Sequence, residues 1–270
     1  FHMTTTTGGA AGVLDWLEEW LQTEWPDLKG FLTSVTEEWS VATLSGPNAS
    51  KILKAAGIDI SLDPADFPFM SMQDAHIAGL PVRIFRISFT GELSFEINIR
   101  ARHGLALWQL LMEAGRDHGI TPYGTEAMHV LRAEKGFIIV GQDTDGTMTP
   151  IDLQLDWVVS KKKYDFIGKR SLYRSDTMKE DRKQLVGLVT DDPNIVLEEG
   201  AQIVAELNQS PVNMLGHVTS SYYSPNLKKS IALAVVRGGT NMIGKKLFIP
   251  MEDKTINVTI TNSVFFDEEN

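Results

Sequence analysis

The stretch Phe89-Thr90-Gly91-Glu92-Leu93-Ser94-Phe95-Glu96-Ile97-Asn98-Ile99-Arg100 carries the clearest pattern in the chain. Leu93, Phe95, Ile97 and Ile99 alternate with Glu92, Ser94, Glu96 and Asn98. A period of two is the mark of a strand with one apolar and one polar face. Thr90-Gly91 supplies the turn ahead of it, so a strand is expected over Glu92 to Arg100. Such a strand holds a polar side chain on a rigid element; by the pattern alone Glu96 reads as a solvated strand glutamate.

Upstream, Phe67 to Ala75 and Leu80 to Ser88 read as two strands joined near Ala78-Gly79. Ser40 to Leu44 is a further strand, and Ser45-Gly46-Pro47 starts a helix that ends at Gly57, with proline in its first turn. The β-branched run Thr4 to Thr7 reads as a strand closed by Gly8-Gly9. A helix follows, with Val13, Leu14, Leu17, Trp20 and Leu21 forming one buried stripe, stopped by Pro26 and Gly30. A chain that starts in mid-strand is expected to be a piece of a longer polypeptide.

Downstream come two helices, Gly104 to Arg116 and Tyr123 to Glu134, the second capped by Gly136. Phe137 to Val140 is expected as a short apolar strand, and Leu153 to Val159 is expected to carry Trp157 back towards the core. Ile167 opens a short helix. From Asp176 to Lys183 the sequence is strongly polar and marks a boundary. Six short strands follow: Gln184 to Thr190, Ala201 to Glu206, Gly216 to Ser221, Ile231 to Val236, Lys246 to Pro250 and Thr255 to Thr261. Their spacing predicts a small antiparallel barrel or sandwich. The fold is therefore expected to be α+β, with one domain over 1–175 and a barrel domain over 183–270.

Composition sets outer limits. The 270 residues carry a formal charge of -10, which disfavours a phosphate backbone or an anionic membrane as partner. Lys161-Lys162-Lys163 reads as a solvated loop. There is no cysteine, so thiolate nucleophiles, disulfides and cysteine-bound zinc are excluded; this is compatible with a reducing cytoplasm, the expected location. Asp143 and Asp145 stand two apart before Gly146, but the rest of a calcium-loop ligand series is missing, and no metal is expected. Gly8-Gly9 and Gly238-Gly239 lack the spacing and the lysine of a phosphate loop.

Phe89-Thr90-Gly91-Glu92 with Phe95-Glu96-Ile97 resembles a signature of the aminomethyltransferase (glycine-cleavage T-protein) family. Leu131-Arg132-Ala133-Glu134-Lys135-Gly136, Gly141-Gln142-Asp143, Thr149-Pro150, and Gly216-His217-Val218-Thr219-Ser220 are similar to further family motifs, in the same order. Within the family, Met3 to Gly9, Asp15 to Trp20 and Arg132 to Gly146 look like the alpha subunits of heterotetrameric sarcosine oxidases. That resemblance implies an aminomethyltransferase-type domain that binds tetrahydrofolate. It also implies beta, gamma and delta partner subunits, with FAD, FMN and NAD in the complete enzyme.

The resemblance assigns Glu96 to the pterin ring, whose amide N–H and exocyclic amine offer two parallel donors to one carboxylate. Glu92 shares that face, nearer the turn. Phe89 stands where relatives carry a folate-contacting aromatic, and a ring there can stack on a flat ligand. Trp157 matches a tryptophan near the folate. Thr7 stands where relatives have a folate-touching asparagine, or it caps the following helix through its hydroxyl, which is the favoured reading. Met128 replaces an arginine usual in T-proteins, and His129 reads as structural. The catalytic aspartate of relatives falls on a loop outside this sequence, so the catalytic residue is unknown and the chain alone is expected to be incomplete as a catalyst. The implied role is capture of the one-carbon unit of oxidised sarcosine, giving 5,10-methylenetetrahydrofolate and glycine, with hydrogen peroxide from the whole enzyme. The alternatives are an aminomethyltransferase of glycine cleavage and a non-catalytic folate-binding module for assembly.

Overall fold

The computed structural model describes residues 1–208 and 210–266, with only the backbone at Thr7. The last four residues of the expected barrel domain lie outside the described residues. The chain forms two compact units, residues 1–88 with 92–122, and residues 89–91 with 123–270.

The first unit holds helix α1 (Ala10–Thr23), strand β1 (Trp39–Ser45), helix α2 (Ala49–Ala55), strands β2 (Met72–Ile77), β3 (Leu80–Phe85) and β4 (Ser94–Arg100), and helix α3 (Gly104–Ala114). The strands make one antiparallel sheet in the order β1-β4-β3-β2. The apolar alternation of the quoted stretch becomes the centre of its core: Phe95, Ile97 and Ile99 are fully buried with Leu44, Ile52, Leu53, Phe67, Ile77, Ile84 and Leu107. Burial of each such side chain contributes about 1.5–3 kcal/mol. The Phe67 and Phe95 rings lie 6.0 Å apart. Ala78 and Gly79, at φ 47° and 79°, turn the β2–β3 hairpin at the expected place.

β4 begins at Ser94, two residues later than the alternation predicts, because Glu92 and Leu93 lie in the bend that leads into it. The Thr4 to Thr7 strand does not form. Residues 1–6 have no regular structure, and the Gly9 amide donates to the Thr6 carbonyl at 3.0 Å, closing a 3-10 turn over Thr7–Gly9. The α1 stripe is half-buried rather than buried; its tryptophans meet one another, with the Trp16 and Trp20 rings 6.0 Å apart.

In the second unit, helix α4 (Thr125–Glu134) precedes strands β5 (Lys183–Thr190), β6 (Gln202–Val204), β7 (Met214–Ser224), β8 (Lys229–Arg237), β9 (Lys246–Pro250) and β10 (Thr255–Thr261). The strands close into a barrel in the order β10-β5-β8-β7-β6-β9. Val186, Leu188, Ile203, Val218, Ala234, Val236, Ile249, Val258 and Ile260 fill it. Gly216 allows the close approach of β8, since a Cβ there would lie 1.9 Å from the Val235 carbonyl oxygen.

The strand expected over Phe137 to Val140 is absent, and Leu153 to Val159 is likewise irregular. Over Phe137 to Val140 the backbone groups are taken by side chains and a helix end: Phe137 N–H donates to the Arg132 carbonyl, and Ile139 N–H donates to Asp143 Oδ2 at 2.8 Å. Over Leu153 to Val159 local turns satisfy the backbone, as Leu155 N–H donates to the Pro150 carbonyl and Gln154 adopts φ 60°. Apolar runs in both places mimic a strand, but their hydrogen bonds are spent locally.

Candidate functional site

The face of the first unit's sheet opposite its core is built from every second residue of the four strands. In the ladder, Glu96 stands between Thr43 of β1 and Phe85 of β3, and Asn98 between Val41 and Arg83. Thr43, Val41 and Met72 are exposed and Phe85 is half-buried. Glu96 itself is half-buried, and among the described residues its carboxylate makes no hydrogen bond or ion pair. The two cations on this face are committed elsewhere: Arg83 Nε donates to Asp74 Oδ1 at 2.9 Å, and Arg100 pairs with Glu38. Both also lie over the Trp39 ring, at 5.7 and 4.9 Å. A lone carboxylate on a stiff strand can accept two parallel N–H donors.

Four buried side-chain polar atoms lack a hydrogen-bond partner among the described residues, and two of them, Thr90 Oγ1 and Asn98 Nδ2, belong to the quoted stretch. Thr90 sits in the turn Phe89–Gly91, which belongs to the second unit. Gly91 is at φ +85°, and a Cβ there would meet the Lys135 side chain at 2.9 Å, so glycine is required. Glu92, half-buried, follows in the first unit. Phe89 is 38% exposed, enough to offer a ring face.

Trp157 lies in a 3-10 turn, Asp156–Val158, and is 67% exposed, not directed to the core as expected. Thr7 opens the 3-10 turn before α1, whose N-cap is Gly9; the capping and folate roles expected of the Thr7 side chain lie outside the described residues. His129 sets its ring 6.5 Å from Tyr222. Met128 is half-buried on α4.

Several motifs that mark the family prove to be fasteners within the second unit. Arg132 Nη1 donates to Asp143 Oδ2 at 2.6 Å and to the Phe137 carbonyl, while Nη2 donates to Ser220 Oγ at 2.7 Å. Asp143 Oδ1 accepts from Thr219 Oγ1 at 2.6 Å and from Ser220 Oγ at 2.7 Å. Consecutive strand residues normally face opposite sides; a bulge in β7 between Val218 and Ser220 lets both hydroxyls reach one carboxylate. Glu134 accepts from the hydroxyl of Ser224 and from Asn226 Nδ2, and Gly136 at φ +74° lets Ser263 approach. With two polar or charged partners on each carboxylate oxygen, Asp143 serves the fold. Sequence reasoning recognised these residues without their task; the signal was charged residues standing in an apolar setting, where burial demands a partner.

Asp152 is buried, which raises its pKa, but the Arg182 guanidinium and the Thr149 amide and hydroxyl outweigh this and hold it below the usual carboxylate range. Asp145 is lowered by the hydroxyl and amide of Thr147. His217 is pushed down by burial and by Lys183, against a smaller opposing effect of Asp145. Asp59 is lowered by the amide and ring of His76. Among the described residues no cluster of acidic, histidine or cysteine side chains could hold a metal ion, and no helix is long and apolar enough to cross a membrane.

Comparison with known proteins sets this geometry in context. The sarcosine oxidase subunit alpha of Corynebacterium sp. (strain P-1) is 51% identical over 275 residues, covering 100% of this chain and 28% of that protein. The subunit from Rhizobium meliloti (strain 1021) is 40% identical with the same coverage. The chain thus spans little more than a quarter of these relatives. An aminomethyltransferase of Caldanaerobacter subterraneus is 31% identical over 87% of this chain and 60% of its own length. The crystal structure of the glycine cleavage system aminomethyltransferase T from Bartonella henselae superposes with a TM-score of 0.78 at 25% identity, covering 97% of this chain and 67% of that one. The GCVT N-terminal domain matches residues 1–163, and the glycine cleavage T-protein C-terminal barrel domain matches residues 183–267. With the first of these covering more than half of its length, the chain belongs to the glycine cleavage T-protein (GCVT) family.

Proposed function

We propose that this chain is the tetrahydrofolate-binding part of a sarcosine oxidase alpha subunit, with residues 1–175 as the folate-binding region and 183–270 as its barrel domain. The observation that carries the reading is Glu96, a half-buried carboxylate on β4 with no hydrogen-bond or ion-pair partner among the described residues. It fits the twin donors of a pterin. Phe89, Trp157, Glu92 and Thr7 are further proposed folate contacts, each on the family resemblance alone. Tetrahydrofolate supplies the nitrogens that receive the one-carbon unit. The chain's own residues hold and orient it and keep water from the reactive carbon.

In the complete enzyme, with beta, gamma and delta subunits present and FAD, FMN and NAD bound, flavin would supply the two-electron oxidation of sarcosine. Oxygen takes the electrons up as hydrogen peroxide, and glycine and 5,10-methylenetetrahydrofolate leave. The higher identity to sarcosine oxidase alpha subunits, together with Met128 where T-proteins carry arginine, favours this over an aminomethyltransferase of glycine cleavage. The deciding test is folate titration of Glu96→Ala. Loss of a charge-assisted pair weakens binding by about 1.5–3 kcal/mol, and unchanged affinity removes Glu96 from the site. Co-purified flavin subunits support the oxidase reading; a lipoyl carrier protein supports the aminomethyltransferase.

A further inference from the structure

Asn98 is 4% exposed, on the same side of β4 as Glu96 and two residues further along, about 6.6 Å away by strand geometry. Its Nδ2 is buried with no acceptor among the described residues. The neighbours across the ladder do not provide one: Val41 is apolar, and the Arg83 guanidinium is bound to Asp74. An unsatisfied buried amide is costly, so a residue of this kind in the middle of a well-packed strand calls for a ligand. A pteridine edge presents the exocyclic 2-amine, then N3–H, then the 4-oxo oxygen: two donors followed by an acceptor. Glu96 accepts from donors and Asn98 donates, in that order along the strand.

We propose that Asn98 is a specificity-determining residue for the pterin, its carboxamide N–H donating to the 4-oxo oxygen while Glu96 takes the two donors. This rests on the folate reading above. Together the two side chains read the whole edge and distinguish a 4-oxo pteridine from a 4-amino one, whose donor at that position would oppose the Asn98 N–H.

The test is a set of dissociation constants for tetrahydrofolate and its 4-amino-4-deoxy analogue, measured on the unaltered protein, Asn98→Leu, Asn98→Asp and Glu96→Gln. Asn98→Leu is expected to weaken tetrahydrofolate about fivefold to tenfold and to leave the analogue within about twofold. Asn98→Asp places an acceptor where a donor stood, and is expected to shift the preference towards the analogue even if Asn98→Leu folds poorly. An equal loss for both ligands shows a merely structural asparagine and overturns the proposal, as does no change for either. Sensitivity to Glu96→Gln with an unchanged ratio at Asn98 leaves the folate reading standing and removes this one. Insensitivity to Glu96→Gln removes both.

Discussion

Arg132 and Asp143 form an ion pair, 2.6 Å from Nη1 to Oδ2, in which neither side chain is accessible to water. The pair joins the end of α4 to the loop that follows, and through Thr219 and Ser220 to the barrel strand β7. Removing one partner of a buried pair leaves the other charge without compensation, which costs about 3–5 kcal/mol. Arg132→Met and Asp143→Ala are each expected to destabilise the protein by that amount in denaturant unfolding. The double variant should cost clearly less than the sum, because the second change removes an already stranded charge.

Gly136→Ala should destabilise by more than about 1 kcal/mol. The residue is at φ +74°, and the new Cβ would sit 2.6 Å from the Ser263 carbonyl oxygen. Gly141→Ala serves as the control. It shares the left-handed backbone, at φ +95°, but meets nothing within 4 Å. Its loss in thermal melts should be the smaller of the two.

Stability should fall with acid in two separate windows. The unfolded chain protonates His217 near its ordinary value of 6.5, while the folded protein resists because burial and Lys183 disfavour the cation. The folded pKa lies below the unfolded one, so the unfolded state binds more protons as pH drops. The His217 contribution is complete above 6.5 and is lost as pH falls through the folded value. Asp145 and Asp152, also lowered, contribute above the ordinary 3.8 and are lost below it. In His217→Gln the upper slope of unfolding free energy against pH should vanish while the lower one remains.

Trp157→Ala should change unfolding free energy by no more than about 0.5 kcal/mol, since the side chain is largely in solvent. Tetrahydrofolate affinity, on the proposed reading, drops about fivefold through loss of a stacking surface worth about 1 kcal/mol. A stable variant with intact affinity would take Trp157 out of the site.

The elements legible in the sequence were those whose period matched their burial. β9 and β10 stand at the expected residues, and Phe95, Ile97 and Ile99 anchor the core as their alternation requires. The misread stretches share one cause. Thr4 to Thr7 and Phe137 to Val140 have strand-like composition, yet strands need neighbours, and side chains or local turns answer these backbones instead. Glu96 was visible as a regular polar position of the alternation, and only the family resemblance attached a ligand to it. Asn98 was equally visible as a polar position, but only its burial without an acceptor gives it a role. The Arg132, Glu134 and Asp143 fasteners were seen as a likeness, since nothing linear tells that residues about 80 to 90 positions apart will share a hydrogen bond.

The extra residue in β7 fixes the length of that strand. Deleting Thr219 would smooth the ladder with β8, an apparent gain in regularity. The same deletion would take one hydroxyl away from Asp143 and slide Val218 a place along, offering the carboxylate a hydrocarbon. Variation in this part of the barrel is therefore open to exchanges of side chain and closed to changes in the count of residues.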